Sequence, residues 1–186
     1  MFENLINLDK RALVYLNSLG SSEWDSFWLY VTNQRHWAPV FIVVLFLFFK
    51  FLGWKKGLFS LLFIAFFVAF SDQFVNMIRS VFERLRPNND PNISEGLRTF
   101  INPQSYSFIS GHATTSMALT IFSIRVLRGF TKYIYIFLLF PLFFAYSRLY
   151  LGVHFPLDIL VGSSVGFLLG IAAYRLFSFS LKAIFK

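Results

Sequence analysis

Five long apolar segments dominate this chain and restrict it to one kind of fold. They cover residues 37–52, 57–81, 112–127, 133–150 and 156–177. A helix needs about 20 apolar residues to cross a bilayer, and several of these segments are shorter, so we expect polar residues at the helix ends to complete each crossing. The sequence therefore predicts an all-α integral membrane bundle of about five transmembrane helices, folded as a single membrane-embedded domain over residues 1–186.

The composition excludes a soluble fold. The chain is 56% hydrophobic and 14% charged, and 27 of its 186 residues are phenylalanine. Soluble domains are roughly 45–50% apolar and about 25% charged, so a soluble fold of this length could not bury so many rings. The absence of cysteine excludes disulfides, thiol nucleophiles and cysteine-ligated metals. We interpret the net charge of +8 as basic loops facing anionic lipid, with no nucleic-acid partner.

The N-terminal segment, residues 1–22, is predicted to form an amphipathic helix on the membrane surface. Apolar side chains recur at spacings of three and four between residues 5 and 19, which is typical of an interfacial helix. The segment lacks a basic start followed by an apolar run, so we do not expect a secretory signal peptide. Four aromatic residues that follow are typical of an interfacial belt: Trp24, Trp28, Tyr30 and Trp37.

The positions of the basic residues predict the orientation of the bundle. Three clusters lie at or after the ends of the first, third and fifth segments: Lys50, Lys55 and Lys56; Arg125, Arg128 and Lys132; Arg175, Lys182 and Lys186. Five crossings put all three on one side, which the positive-inside rule makes cytoplasmic. The polar loop 88–106 is then extramembrane on the opposite side. Five arginines also fall there, against the rule, and so indicate a functional site: Arg79, Arg84, Arg86, Arg98 and Arg148.

The second apolar segment contains polar residues and ends in the first of three motifs, Arg79 to Arg86-Pro87. Asp72, Gln73 and Asn76 are predicted to form buried hydrogen bonds between helices. On a helix, Arg79 and Arg86 would lie two turns apart on one face, and Pro87 is expected to end that helix. Two guanidiniums on one face can bind phosphate oxygens through forked hydrogen bonds. Headgroup anchoring, with Arg79 paired to Glu83, explains this motif equally well when it is taken alone.

The second motif, Ser110-Gly111-His112, begins the third apolar segment. Ser110 is a good N-cap, Gly111 lets an anion approach backbone N–H groups, and a helix N-terminus favours negative charge. His112 would then lie beside a bound phosphate and could donate a proton to the leaving oxygen. An ordinary N-cap followed by an interfacial histidine explains the isolated tripeptide better.

The third motif brings together Arg148, His154 and Asp158 around a turn at Gly152. Pro156 suits the first turn of the fifth segment, and Asp158 lies in that turn. Its carboxylate can accept the imidazole N–H and fix the tautomer, which leaves the other nitrogen free to attack. The alternative is an interfacial histidine with Asp158 merely offsetting the helix dipole. An arginine, a histidine and a carboxylate beside an apolar span favour the catalytic interpretation.

With these motifs, residues 57–175 resemble the catalytic core of the type 2 phosphatidic acid phosphatase family of membrane lipid phosphatases. That family carries Lys-x6-Arg-Pro, Pro-Ser-Gly-His and Ser-Arg-x5-His-x3-Asp, in this order. Here the motifs read Arg79-x6-Arg86-Pro87, Ile109-Ser110-Gly111-His112 and Ser147-Arg148-x5-His154-x3-Asp158. Arg79 replaces the usual lysine and Ile109 the usual proline. Neither change removes a catalytic group, so we expect altered geometry and loop rigidity rather than lost activity.

The resemblance implies a phosphatase that needs no metal and no cofactor, with its site at the non-cytoplasmic membrane face. In such an enzyme His154 attacks phosphorus and is oriented by Asp158, while His112 protonates the departing lipid oxygen. Water then hydrolyses the phosphohistidine with His112 as the base. Five residues are expected to hold the phosphate oxygens: Arg79, Arg86, Ser110, Gly111 and Arg148.

The sequence leaves the substrate open. Undecaprenyl pyrophosphate is the leading candidate, followed by phosphatidylglycerol phosphate, phosphatidic acid and lipid A 1-phosphate. We expect a multi-pass protein of the bacterial cytoplasmic (inner) membrane whose site faces the periplasm or cell exterior. A lipid phosphotransferase, a non-catalytic protein that binds lipid headgroups and a small transporter are the alternatives, and the last would show repeated halves that this chain lacks. The sequence does not indicate an oligomeric state.

Overall fold

The computed structural model describes residues 2–185, which form helices and irregular loops without any strand. The α-helices are α1 (Phe2–Ser18), α2 (Ser22–Thr32), α3 (Ala38–Leu52), α4 (Trp54–Phe82), α5 (Gly111–Leu127), α6 (Leu139–Tyr150) and α7 (Pro156–Ile184). Short 3₁₀ helices cover Gln34–Trp37, Pro87–Asn89, Ser94–Gly96 and Lys132–Leu138. The predicted all-α class is confirmed. Each predicted apolar segment coincides with a helix to within a few residues, with two exceptions: the fourth begins as the 3₁₀ helix Lys132–Leu138 before α6, and α7 extends beyond the fifth at its C-terminal end.

Four stretches of the described chain are long and apolar enough to cross a membrane: Gln34–Leu52, Trp54–Asn89, Lys132–Tyr150 and Pro156–Ile184. The third predicted segment forms α5, which has 17 residues and is not among the four. Its side chains are buried inside the bundle; Thr114, Thr120 and Phe122 are 0% exposed. Because protein rather than lipid surrounds α5, the helix tolerates hydroxyl side chains that a lipid-facing helix would avoid.

The packing of α5 on α7 depends on three glycines spaced four residues apart, Gly162, Gly166 and Gly170. A Cβ atom at Gly162 would lie 2.9 Å from the Ser110 carbonyl oxygen, and one at Gly170 would lie 2.7 Å from that of Ala118. Small residues at this spacing let two membrane helices approach closely. The close approach also lets the Ser110 N–H donate to the Asp158 carbonyl oxygen at 3.1 Å. The second and third sequence motifs therefore meet at the start of α5 and α7.

The N-terminal helix α1 agrees with the predicted amphipathic helix. Leu5, Leu8 and Tyr15 are exposed, whereas Asp9 and Leu13 are buried against the bundle. Three of the four residues predicted for the aromatic belt, Trp24, Trp28 and Tyr30, lie in α2. The ring of Trp28 packs against Tyr146 and Tyr150 of α6, at 4.8 and 5.5 Å between centroids.

The end of α4 differs from the prediction. The helix stops at Phe82, because Glu83 adopts a left-handed conformation with φ of 46° and caps it. Arg86 lies beyond it in extended backbone with φ of −73° and ψ of 155°. The expectation that Arg79 and Arg86 share a helical face was therefore wrong. So was the proposed Arg79–Glu83 pair, which is not among the ion pairs of the described residues.

Candidate active site

A cavity of about 870 Å³ lies between α3, α4, α5 and α6. One end is polar and is formed by residues from all three motifs: Arg79, Arg86, Gly111, His112 and Arg148, together with Ser105 and Ser116. The other end is apolar and is lined mainly by α3, α4 and α6, including Phe41, Val44, Leu61, Ile64, Val68, Phe140 and Phe144. This shape suits an amphiphile with a charged head and hydrocarbon chains.

Three arginines at the polar end are held by neutral oxygen atoms. Arg79 donates through Nε to the Ile109 carbonyl at 3.1 Å, and Arg148 donates through Nη1 to Thr32 Oγ1 at 2.6 Å. Arg86 donates to the Val153 carbonyl at 2.9 Å and to the Ser105 carbonyl at 2.6 Å. Within residues 2–185 none of the three forms a direct ion pair with a carboxylate. Their charge is therefore available to an anion such as a phosphate.

The start of α5 is built as the second motif predicted. Ser110 caps the helix by accepting the Ala113 N–H at 3.4 Å, and it is fully buried. Gly111 lines the cavity, and a Cβ atom there would lie 3.3 Å from Arg79 Nη2. The ring of His112 stacks on Phe144 at 4.5 Å between centroids and also lines the cavity. Capping by Ser110 and an imidazole on the cavity wall are thus both present in one turn.

His154 and Asp158 are paired as the third motif predicted. His154 is fully buried, with Nδ1 at 3.3 Å from Asp158 Oδ2 and Nε2 at 3.2 Å from Arg86 Nη1. Asp158 Oδ2 also accepts the Phe155 N–H at 2.9 Å, so it caps α7 at the same time. Since Nδ1 faces a carboxylate and Nε2 faces a guanidinium, we assign the hydrogen to Nδ1. Burial in the loop between α6 and α7 lowers the pKa of His154 to about 3, which keeps the imidazole neutral at physiological pH.

Two further residues contact this pair and were assigned no role from the sequence. The Ser107 hydroxyl donates to Asp158 Oδ2 and lies 3.3 Å from His154 Nδ1. Arg84 donates through Nη1 to Asp158 Oδ1 at 2.8 Å, and its guanidinium lies over the Phe155 ring at 3.8 Å. Arg84 was one of the five arginines predicted to lie on the non-cytoplasmic side, whereas nothing in the local sequence singles out Ser107. Arg98, from the same set, instead pairs with Asp25 at 2.8 Å.

Asp72, Gln73 and Asn76, predicted to join helices, form no side-chain hydrogen bond to another helix within residues 2–185. Asn76 donates to Asp72 Oδ2 at 3.3 Å, within α4 itself. The Asp72 side chain is exposed on the cavity wall, seven residues before Arg79. It places a carboxylate between the arginine-rich end and the apolar end of the cavity.

Comparison with known proteins identifies this arrangement. A family model described as the PAP2 superfamily matches residues 57–182. The chain belongs to the PAP2 superfamily. A lipid A 4'-phosphatase from Bacteroides thetaiotaomicron is 33% identical over 171 residues, which are 89% of this chain and 75% of the relative. A lipid A 4'-phosphatase from Porphyromonas gingivalis is 27% identical over 181 residues, 96% of this chain and 76% of the relative.

Two crystal structures share the fold of this PAP2 protein. One is a PAP2-type phosphatidylglycerolphosphate phosphatase from Bacillus subtilis, with a TM-score of 0.73, 19% identity, and coverage of 93% of this chain and 86% of that one. The other is LpxE from Aquifex aeolicus, with a TM-score of 0.67, 21% identity, and coverage of 89% and 93%. The family, the membrane helices and the curated relatives together make this protein a multi-pass membrane enzyme that hydrolyses lipid phosphates.

The two departures from the motifs of this family contact each other. Arg79 stands where lysine is usual, and its Nε donates to the carbonyl of Ile109, which stands where proline is usual. Ile109 is 1% exposed, so its side chain is packed in the core. The Nε–H of Arg79 makes this backbone hydrogen bond, while the terminal nitrogen Nη2 stays near Gly111. The structure thus keeps a cation at the position the motif requires.

Proposed function

We propose that this PAP2 enzyme removes the phosphate of a lipid A-type lipid through a covalent phosphohistidine at His154. The observation that carries the proposal is a neutral, buried imidazole, backed by Asp158, whose Nε2 lies beside Arg86. Arg86 is one of three arginines that have no direct carboxylate partner among residues 2–185. Such an imidazole is a nucleophile, and such arginines stabilise the charge of a phosphoryl group in transfer.

The proposed reaction begins when His154 Nε2 attacks phosphorus and the bond between phosphorus and the lipid oxygen breaks. Asp158 holds the Nδ1–H and stabilises the imidazolium that forms. The arginines 79, 86 and 148, with the backbone N–H of Gly111 and the hydroxyl of Ser110, bind the phosphoryl oxygens. Arg86 leaves Nε2 as it turns towards them.

His112 completes both steps. In its protonated form, His112 gives a proton to the departing lipid oxygen. The neutral imidazole that results then takes a proton from the water that cleaves the N–P bond. Inorganic phosphate leaves, and His154 is neutral again. The cycle needs only His154, Asp158, His112, the phosphate-binding residues, the lipid and water.

The relatives' names and the cavity both favour a lipid A-type substrate. Both curated relatives are named lipid A 4'-phosphatases. Undecaprenyl pyrophosphate, the leading candidate from the sequence, remains a prediction without support from either name. Its second phosphate would follow the first into the cavity and approach the carboxylate of Asp72, where like charges repel. An acylated glucosamine instead brings amide N–H and hydroxyl donors to the same depth, and a carboxylate can accept their hydrogen bonds.

Replacement of Asp72 by asparagine tests this distinction. We expect Asp72→Asn to lower kcat/KM for lipid A about tenfold, since a hydrogen bond to a charged acceptor becomes a neutral one. The same variant should raise kcat/KM for undecaprenyl pyrophosphate, because repulsion is removed. Gln73→Ala is the matched control, since Gln73 is the exposed neighbour on α4 and does not line the cavity. Equal changes for both lipids would contradict a selective role of Asp72.

Phosphate release from a lipid panel tests the proposed function itself. The panel contains lipid A carrying only the 4'-phosphate or only the 1-phosphate, undecaprenyl pyrophosphate, phosphatidylglycerol phosphate and phosphatidic acid. We expect fastest release from the 4'-phosphate, inhibition by vanadate as a mimic of five-coordinate phosphorus, and full activity in EDTA. Activity that is lost in EDTA and restored by a metal would overturn the phosphohistidine route. Folded protein inactive on every lipid would overturn the proposed function.

We further propose that the enzyme lies in a bacterial cytoplasmic membrane with its site facing the periplasm or cell exterior. Lys55 and Lys56 lie at one end of α4, and Arg79 lies near its other end. Lys132 and Arg148 lie at opposite ends of the Lys132–Tyr150 stretch in the same way. The positive-inside rule assigns the lysine ends to the cytoplasm and the cavity's polar end to the opposite side.

A further inference from the structure

We infer that the N-terminal helix α1 belongs to the catalytic machinery, because a chain of charges from Asp9 through Arg84 holds Asp158 in the position that orients His154. Arg84 and Asp9 are thus positioning residues for the reaction. The inference rests on the proposed role of His154 as the nucleophile. None of the three PAP2 motifs assigns a function to α1, and both Asp9 and Arg84 lie outside their defining positions.

Arg84 is shared between two carboxylates. Its Nη1 lies 2.8 Å from Asp158 Oδ1, and its Nη2 lies 2.7 Å from Asp9 Oδ2. Both acidic side chains are almost inaccessible, at 0% and 1% exposure, whereas the arginine side chain is 22% exposed. The Phe155 ring under the guanidinium restricts its rotation. The cation is therefore fixed in one place between two buried anions.

Asp9 also acts on the backbone beside Asp158. Its Oδ1 accepts the Leu157 N–H at 2.9 Å, one of the otherwise unpaired donors in the first turn of α7. One carboxylate of α1 thus binds both the residue preceding Asp158 and the cation on Asp158. Burial raises the pKa of Asp9, while the bond from Arg84 opposes that rise. Without Arg84, this buried carboxylate would have no cation to compensate its desolvation.

The attachment of α1 does not depend on Asp9 alone. Asn17 donates to the Tyr150 carbonyl at 2.8 Å and accepts the Arg98 N–H at 2.8 Å. Leu13 is 0% exposed and packs with Leu149 and Phe155. Lys10 pairs with Asp90 at 2.5 Å. Because these contacts remain when Asp9 or Arg84 is changed, the charges can be altered while α1 stays docked.

The charges of Asp9 and Arg84 matter during the reaction because they hold Asp158 in place. As the N–P bond forms, His154 becomes a cation, and Asp158 must be ionised and correctly aimed at Nδ1 to stabilise it. The groups that face Asp158 are His154 and Ser107 by direct contact and Arg84 through Oδ1; Asp9, Arg79 and Arg86 act on it through their charges. Among the described residues, Arg84 is the cation that binds the Asp158 carboxylate directly, through Oδ1. Its loss should therefore slow chemistry more than it weakens lipid binding.

Four variants test this inference in the lipid panel: Arg84→Gln, Arg84→Lys, Asp9→Asn and the control Lys10→Gln. We expect Arg84→Gln to lower kcat about 10–100-fold with KM nearly unchanged, since a charged hydrogen bond on the orienting carboxylate is lost. Arg84→Lys should recover much of that loss, and Asp9→Asn should show a smaller decrease. Lys10→Gln removes an ion pair of the same helix that does not reach Asp158, and should match wild type.

Loss of kcat in Lys10→Gln equal to that in Arg84→Gln would overturn the inference, since docking of α1 would then explain both. An Arg84→Gln enzyme with wild-type kcat would also overturn it. Thermal unfolding in detergent identifies variants that merely fail to fold. The ¹⁵N side-chain spectrum of His154 provides a readout that does not need turnover: wild type should show the Nδ1–H form, and Arg84→Gln a mixture. Should wild type cleave no lipid, the proposed function fails, and an unchanged His154 tautomer in Arg84→Gln would separately refute the positioning role.

Discussion

Replacing His154 with alanine is expected to lower phosphate release by about 10⁴-fold or more, as happens when a covalent nucleophile is removed. The structure gives the reason. Nε2 of this neutral imidazole lies 3.2 Å from Arg86, and no other imidazole in the described chain is both backed by a carboxylate and buried among arginines. The measurement is the single-turnover rate on lipid A 4'-phosphate, together with acid-labile, base-stable labelling of the protein by ³²P-lipid.

His36→Ala is the matched control for that experiment. His36 is exposed, its Nδ1 lies 2.8 Å from the Tyr30 carbonyl, and its ring stacks on Tyr30 at 3.9 Å. It should keep wild-type turnover and labelling. Because His154→Ala leaves Asp158 and Arg86 without a buried partner, His154→Gln is measured alongside it, with thermal unfolding to confirm the fold. A His154→Ala enzyme that cleaves as fast as wild type would contradict the assignment of the nucleophile.

Replacing His112 with alanine is expected to slow turnover of lipid substrates by about 10²–10⁴-fold, the usual contribution of a general acid and base. The defect should depend on the leaving group. An alkoxide such as a sugar oxygen needs a proton as it departs, whereas p-nitrophenolate leaves readily without one. The ratio of wild-type to variant rates should therefore be much smaller for the first step with p-nitrophenyl phosphate than with lipid A.

The same variant should accumulate the phosphoenzyme. Hydrolysis of the N–P bond needs a base for water, so with p-nitrophenyl phosphate the His112→Ala protein should show a burst of nitrophenolate followed by a slow phase. In the wild type the His112 ring stacks on Phe144, so His112→Phe keeps this packing while it removes the proton-transfer group. Equal rate losses for both leaving groups, without a burst, would assign His112 to packing or phosphate binding instead.

The sequence predicted which segments are helices because the relevant information is local. Apolar length predicted α3, α4, α6 and α7, and Ser110 and Pro156 marked the starts of α5 and α7 by capping and first-turn preferences. The spacing between His154 and Asp158 also predicted their contact, since four residues bring a loop histidine next to the first turn of the following helix. The family resemblance supported these assignments through residues that are few and specific.

The predictions for the end of α4 and for the Asp72 side chain were wrong. Pro87 was expected to end α4, but the helix stops at Phe82 because Glu83 adopts a left-handed conformation. Arg86 still reaches the cavity, since the chain that follows turns back and meets Ser105 and Val153. Asp72 was expected to join helices and instead lies on the cavity wall. Which face of a membrane helix meets protein, lipid or a cavity depends on its neighbours, and no single segment contains that information.

By itself, then, the sequence determined an all-α membrane protein of the PAP2 type, three motifs and the pairing of His154 with Asp158, because length, apolarity and short spacings are properties of contiguous residues. Only the tertiary structure decided how Asp158 is held. Arg84, which binds Asp158, is 74 residues away from it in the sequence, and Asp9 is 75 residues away from Arg84. Ser107 lies in a loop whose sequence gives no indication of the contact. Ion pairs of this kind form only when helices distant in sequence pack together. Because an unpaired buried charge is costly, such packing requires an oppositely charged partner, and that partner can lie far away in the sequence.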